Sequence, residues 1–285
     1  MDLLCNESTT DRIRRYPDTE MSGGIQNMVH VSVVLLSSLG LFLGILLAFD
    51  IGRHIGIRWL PESKSDRTSS GLLDGAIYAL LGLLIAFTFS GAASRFDHRR
   101  ELVIEEANAI GTAYLRLDLL PVDAQPALRA LFRQYLDARL DMIQKLPDMK
   151  ASQAVIAQAN TLQGQIWPMA VKACQASGSA PATTLLLAAL NEMFDIANLR
   201  TTTSWEMHPP TVIFMMLFSL ALLCSALAGF EMEGARSRNL VHVAVFAAII
   251  AGTVYVILDI EYPRLGLIRV DTVDQVLVNL RKTME

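Results

Sequence analysis

Four stretches of this chain are each long and apolar enough to cross a bilayer, and that narrows its possible folds more than any motif does. A spanning helix needs about 20 mainly apolar residues, because its backbone polar groups are satisfied without water. The runs extend from Met28 to Phe49, Leu72 to Ala93, Thr211 to Phe230 and Leu240 to Leu258. A 52% hydrophobic content and a mean hydropathy of +0.38 agree with membrane residence. His30, Asp74 and His242 fall near run ends, and no run carries a charge at its centre. Ion-coupled pumps keep ionisable relays at mid-membrane, so that class is disfavoured.

The residues between the second and third runs, 95–208, have helical periodicity throughout. Val103, Ala107, Ile110, Tyr114 and Leu117 form a seam in alternating steps of four and three, the pattern of an amphipathic helix packed in water. No proline or tight turn separates this seam from the second run. One helix from Leu72 to Leu120 would be roughly 70 Å long, against about 30 Å of hydrocarbon. A break near Gly91 is the alternative. Further helices are expected near Ala127–Leu146, Ser152–Gln175 (with a kink or break at Pro168) and Ala182–Trp205.

The expected fold class is an all-α membrane protein: four transmembrane helices with a helical extramembrane bundle inserted between the second and third spans. Residues 1–27 read as a mobile tail, 28–94 as spans one and two, and 95–208 as the insert. Residues 209–260 hold spans three and four. In 261–285, "LGLIRV" reads as extended, and Asp271 or Thr272 caps a helix with Val273, Val276, Leu277, Leu280 and Met284 on one face.

Small residues let helices approach closely in lipid. Gly40 and Gly44 form a GxxxG pair, and Gly75, Ala79, Gly82 and Ala86 follow one stripe of the second span. The contacts they serve lie either within the chain or between subunits. On the same span Leu81, Ile85 and Phe89 are four apart. Several copies around an axis would stack them into apolar rings, which gate pores by dewetting. Ordinary aliphatic content of a spanning helix explains the same spacing.

Enzyme chemistry finds no footing. There is no GxSxG, GxxxxGK[ST], HExxH or GxGxxG, and the five histidines are scattered. Cys5, Cys174 and Cys224 lie far apart, so no metal site, cofactor or disulfide framework is expected. The net charge of −4 disfavours a nucleic-acid partner. Glu105 and Glu106 diverge by about 100° on a helix and do not converge on a substrate. Asp259, Glu261 and Arg264 are expected to form a local salt-bridge cluster. Lys and Arg do not separate the two sides of the membrane.

Two stretches, "FSGAASRFDHRRELVIEEANAIGTAYLRLDLLP" and "DIEYPRLGLIRVDTVDQVLVNLRKTM", resemble the signature regions of the bacterial bestrophin-like domain family, in the expected order. The resemblance implies kinship with pentameric anion channels whose second span lines an apolar neck. It implies a homo-oligomer in the lipids of the bacterial inner membrane, passing small anions such as chloride, with insert and both termini cytoplasmic. Leu81, Ile85 and Phe89 are the residues that match the neck pattern. The dense acidic run of calcium-gated relatives is missing, so calcium gating is not expected. The alternative is a non-catalytic membrane sensor or assembly protein whose helical insert binds a ligand or partner, a reading motivated by the seam from Val103 to Leu117.

Overall fold

Apolar periodicity of 3.6 dominates the chain, and the computed structural model is helical accordingly. It describes residues 17–59, 67–145, 149–206, 209–231, 238–262, 266–268 and 271–285. Among these are eight α-helices: α1 (Pro17–Trp59), α2 (Arg67–Leu115), α3 (Gln125–Lys145), α4 (Met149–Ser177), α5 (Ala180–Glu206), α6 (Thr211–Glu231), α7 (Arg238–Glu261) and α8 (Asp271–Thr283). A short 3-10 turn, Arg116–Leu119, closes α2 ahead of Pro121. Among the described residues four helical stretches are long and apolar enough to span: Val31–Arg58, Leu73–Leu119, Thr211–Glu231 and Val241–Glu261. The 47-residue stretch is more than twice what hydrocarbon needs, and its apolar part ends at Ala93, before the charges that begin with Arg95.

Several expectations change. Residues 17–27 are helical rather than a tail, and residues 1–16 lie outside the described residues. α1 continues ten residues past Phe49, to Trp59, because Ile51, Ile55 and Ile57 prolong the apolar run. α2 is unbroken at Gly91, and α4 is unbroken at Pro168. Buried Ile166, Ala170 and Ala173 hold α4 in place on either side of that proline. Gly266–Ile268 is bent rather than extended, because its amides turn onto a side chain described below.

The chain divides into two compact units. The first comprises Met1–His30, His98–Glu206 and Arg269–Glu285. Its core takes Val103, Ala107, Ile110, Tyr114 and Leu117 from α2, with Leu128, Phe132 and Tyr135 from α3. Leu162 and Ile166 from α4 join Leu186, Leu190 and Met193 from α5, and α8 adds Leu277. The loop after α4 turns at Gly178, at φ +65°, a left-handed value that glycine adopts without a Cβ clash. Ser179 Oγ then accepts the amide of Ala182 and caps α5.

The second unit comprises Val31–Asp97 and Met207–Ile268 and holds the apolar helices. Leu41 and Ile45 pack with Leu81, Leu217, Ala221, Cys224, Ala247, Ile250 and Val254. Along α1 the buried positions are Val34, Ser38, Leu41, Ile45, Phe49, Gly52 and Gly56, a heptad-like seam. At its far end the backbones nearly touch. A Cβ on Gly52 would overlap the Ala226 carbonyl, and one on Gly229 would overlap that of Phe49. Ser225 Oγ donates to the Ile45 carbonyl at 2.6 Å. Gly52 and Gly229 thus let the backbones of α1 and α6 come together. Gly44 meets Leu222, whereas Gly40 has open space beside it.

Candidate functional site

α2 buries one narrow stripe in the second unit: Asp74, Leu81, Thr88 and Ala92, with Ile77, Tyr78, Leu84 and Ile85 beside them. Tyr78 donates to the Cys224 carbonyl at 3.3 Å, and Thr88 back-bonds to Leu84 at 2.6 Å. The opposite face is uncovered. Leu80 is 48% exposed, Leu83 51% and Phe87 68%, and Ser90 and Ser94 continue that face. Gly75, Ala79, Gly82 and Ala86 are also exposed, and a Cβ added at Gly75 or Gly82 would meet nothing within 4 Å.

The expected neck residues therefore do not share one environment. Leu81 is 3% exposed and belongs to the chain's own core, Ile85 is half-buried against it, and Phe89 is 41% exposed. A four-residue step drifts by about 40° on a helix, so the row leaves the packed stripe at its Phe89 end. Leu83 and Phe87, also four apart, are exposed candidates that the sequence does not single out. Their only signal is spacing, which their neighbours share.

The two signature stretches meet in a compact polar lock at the end of α7. Arg95 Nη2 reaches Glu261 Oε2 at 2.9 Å, and its Nε lies 3.1 Å from both carboxylate oxygens. Glu261 is 1% exposed, so this fork supplies charge and hydrogen bonds together. Asp259, equally buried, accepts the amides of Leu267 at 2.9 Å and Ile268 at 2.8 Å. A Cβ on Gly266 would collide with the Asp259 carboxylate. Arg264, the cation of the expected cluster, lies outside the described residues.

In the first unit Glu106 is wholly buried and receives Arg139 from α3 and Arg200 from α5. Asp274 of α8 stands 3.7 Å from Arg200. Burial by itself would raise the Glu106 carboxyl, but the two guanidiniums outweigh it and hold its pKa below the ordinary value. Burial would lower Arg139, and Glu106 reverses this and raises it. Tyr135 is pushed up to about 12 by burial and so stays neutral. Arg139 and Arg200 are functional candidates that sequence reasoning missed. Each sits at a core position of its helix, four residues after Tyr135 and three after Ala197. An arginine on an apolar stripe is the signal that could have found them.

Glu105, on the other hand, is exposed. With Asn108, Ala109, Thr112, Glu192 and Ile196 it lines an open polar groove of about 390 Å³. Among the described residues no group of three or more His, Cys, Asp or Glu could hold a metal ion.

These features define a multi-pass α-helical membrane protein with a helical bundle inserted between its second and third spans. The chain belongs to the bestrophin-like domain family, whose match extends over residues 57–274. Among solved structures it is similar to a point-mutant bacterial bestrophin homologue from Klebsiella pneumoniae, with a TM-score of 0.61 at 15% identity, covering 88% of this chain and 98% of that one. A second point mutant of that homologue gives 0.58 at 15% identity, over 85% and 99%. The structure of the homologue phased with zinc gives 0.55 at 15% identity, over 87% and 98%. At such identities the likeness concerns the fold. Comparison with curated protein sequences gives no match.

Proposed function

We propose that the protein is an oligomeric ion channel of the bacterial inner membrane, with α2 from several subunits surrounding the pore. One observation carries this reading: α2 is left largely uncovered by its own chain, with only 17% of its apolar window buried. Its uncovered side joins small residues, suited to close contact with a second helix, to Leu83 and Phe87, large enough to form apolar rings. Phe89 remains at the edge of that surface, while Leu81 serves the protomer core. Membership of the family and the bestrophin-homologue fold support the same assignment. By that kinship the assembly is a pentamer, with insert and termini cytoplasmic.

Kinship also favours small anions such as chloride as the permeant species. Cations are the competing species. Flux through purified protein in liposomes, with chloride and potassium gradients compared, decides between them. A folded oligomer that passes neither ion under any gradient would point to the sensor or assembly reading.

A further inference from the structure

Two carboxyl groups of the second unit bond to each other. Asp74, 9% exposed on the packed stripe of α2, is hydrogen-bonded side chain to side chain with Glu231, the exposed last residue of α6. Facing them are the Tyr78 hydroxyl, which donates to the Cys224 carbonyl at 3.3 Å, and the Cys224 thiol, 3.9 Å from the Ile77 carbonyl. Both groups are uncharged at neutral pH. The end of α1 that packs on α6 carries Asp50, Arg53, His54 and Arg58, of which Asp50 and His54 pair with each other at 3.6 Å. The start of α7 adds an exposed His242. Among the described residues no ion pair joins Asp74 or Glu231 to any of these. A hydrogen bond between two carboxyl groups needs a proton, because one O–H must donate and the other oxygen accept. Two ionised carboxylates at that distance repel, so the first proton to bind serves both.

We propose that Asp74 and Glu231 form a proton site, which holds one proton between them at neutral pH and with it fastens the start of the α2 span to the end of α6. Glu231 gives water access to the site, and the burial of Asp74 keeps the shared hydrogen bond from being replaced by bonds to water. Loss of the proton turns the bond into a repulsion between two carboxylates, so the hold of α2 on α6 weakens as pH rises. This inference stands apart from ion conduction and holds whether or not the protein forms a pore.

The test is infrared spectroscopy of the full chain in detergent, with a chelator present so that no divalent cation bridges the pair. The carbonyl stretch of a protonated carboxyl should persist in the parent at about pH 7, where free Asp and Glu are ionised. Glu106 and Glu261 face arginines and Asp259 accepts two amides, so these buried carboxylates do not supply that band. Asp74→Asn and Glu231→Gln should each remove it, since the remaining partner then ionises. If Asp74→Asn does not fold, Glu231→Gln, at an exposed position, decides. Stability of the parent should also fall with rising pH, by up to about tenfold in the folding equilibrium per pH unit, while the folded chain keeps a proton that the unfolded chain has released. That decline should flatten in both variants. No protonated carboxyl in the parent, a band that survives either substitution, or an equal decline in parent and variants would overturn the shared proton.

Discussion

Glu106 on α2 is fully buried and paired with Arg139 on α3, and Arg200 on α5 grips the same carboxylate. Removing one partner of a buried ion pair leaves uncompensated charge. Glu106→Gln should therefore destabilise the insert by about 3–5 kcal/mol. Its exposed neighbour, in Glu105→Gln, should change stability by less than about 0.5 kcal/mol. Denaturant unfolding followed by the fluorescence of Trp167, which packs against Phe194, measures both. Equal effects at the two positions would sink the assignment.

Acid should undo the same cluster. Glu106 has a lower pKa folded than its ordinary value, so its contribution is fully present above the unfolded value of about 4.3 and is lost as pH falls through the folded one. Stability of the insert should decline below about pH 4, with a shallower decline in Glu106→Gln. Identical acid profiles for parent and variant would contradict this account.

The glycines divide into two groups with opposite expectations. Alanine at Gly52 or Gly229 must push apart helices whose backbones already touch, at about 1–3 kcal/mol. At Gly40, beside open space, the same change should be neutral or stabilising by up to about 1 kcal/mol, through helix propensity. Leucine at the exposed Gly75 or Gly82 should split the oligomer while leaving the protomer folded. Thermal unfolding and sizing in detergent separate these cases, and a monomer–oligomer balance untouched by Gly82→Leu argues against α2 at the subunit contact.

Asp259→Ala deprives the Leu267 and Ile268 amides of their acceptor. A loss of about 1–3 kcal/mol for each amide left unsatisfied is expected, read as faster hydrogen exchange at those two positions. Gly266→Ala should reproduce it by driving the same carboxylate away. Slow exchange in both variants would show that the turn does not depend on Asp259.

Much of the architecture is legible in the sequence because the helix signal is strong and local. The seam from Val103 to Leu117 is buried at every one of its five positions, and the insert helices lie within a few residues of their expected bounds. α8 starts at Asp271, where a helix start is legible in the sequence. Direction within the membrane is not legible in the same way. Every face of a spanning helix is apolar, so periodicity does not distinguish the packed stripe of Leu81 from the open face of Leu83 and Phe87. Gly52 and Gly56 are masked by Arg53 and His54, charged or polar neighbours that interrupt the apolar run before the helix ends. The buried arginines escape because their carboxylate partner lies far away in sequence, Glu106 being 33 residues from Arg139 and 94 from Arg200.

The most direct test of the pore is ion flux through reconstituted protein carrying Phe87→Ala, set against the parent at matched protein density. Smaller, less apolar rings wet more readily, so flux through the variant should exceed that of the parent for whichever ion permeates. A conducting parent whose flux is unchanged by Phe87→Ala and by Leu83→Ala would contradict the open face of α2 as the pore wall.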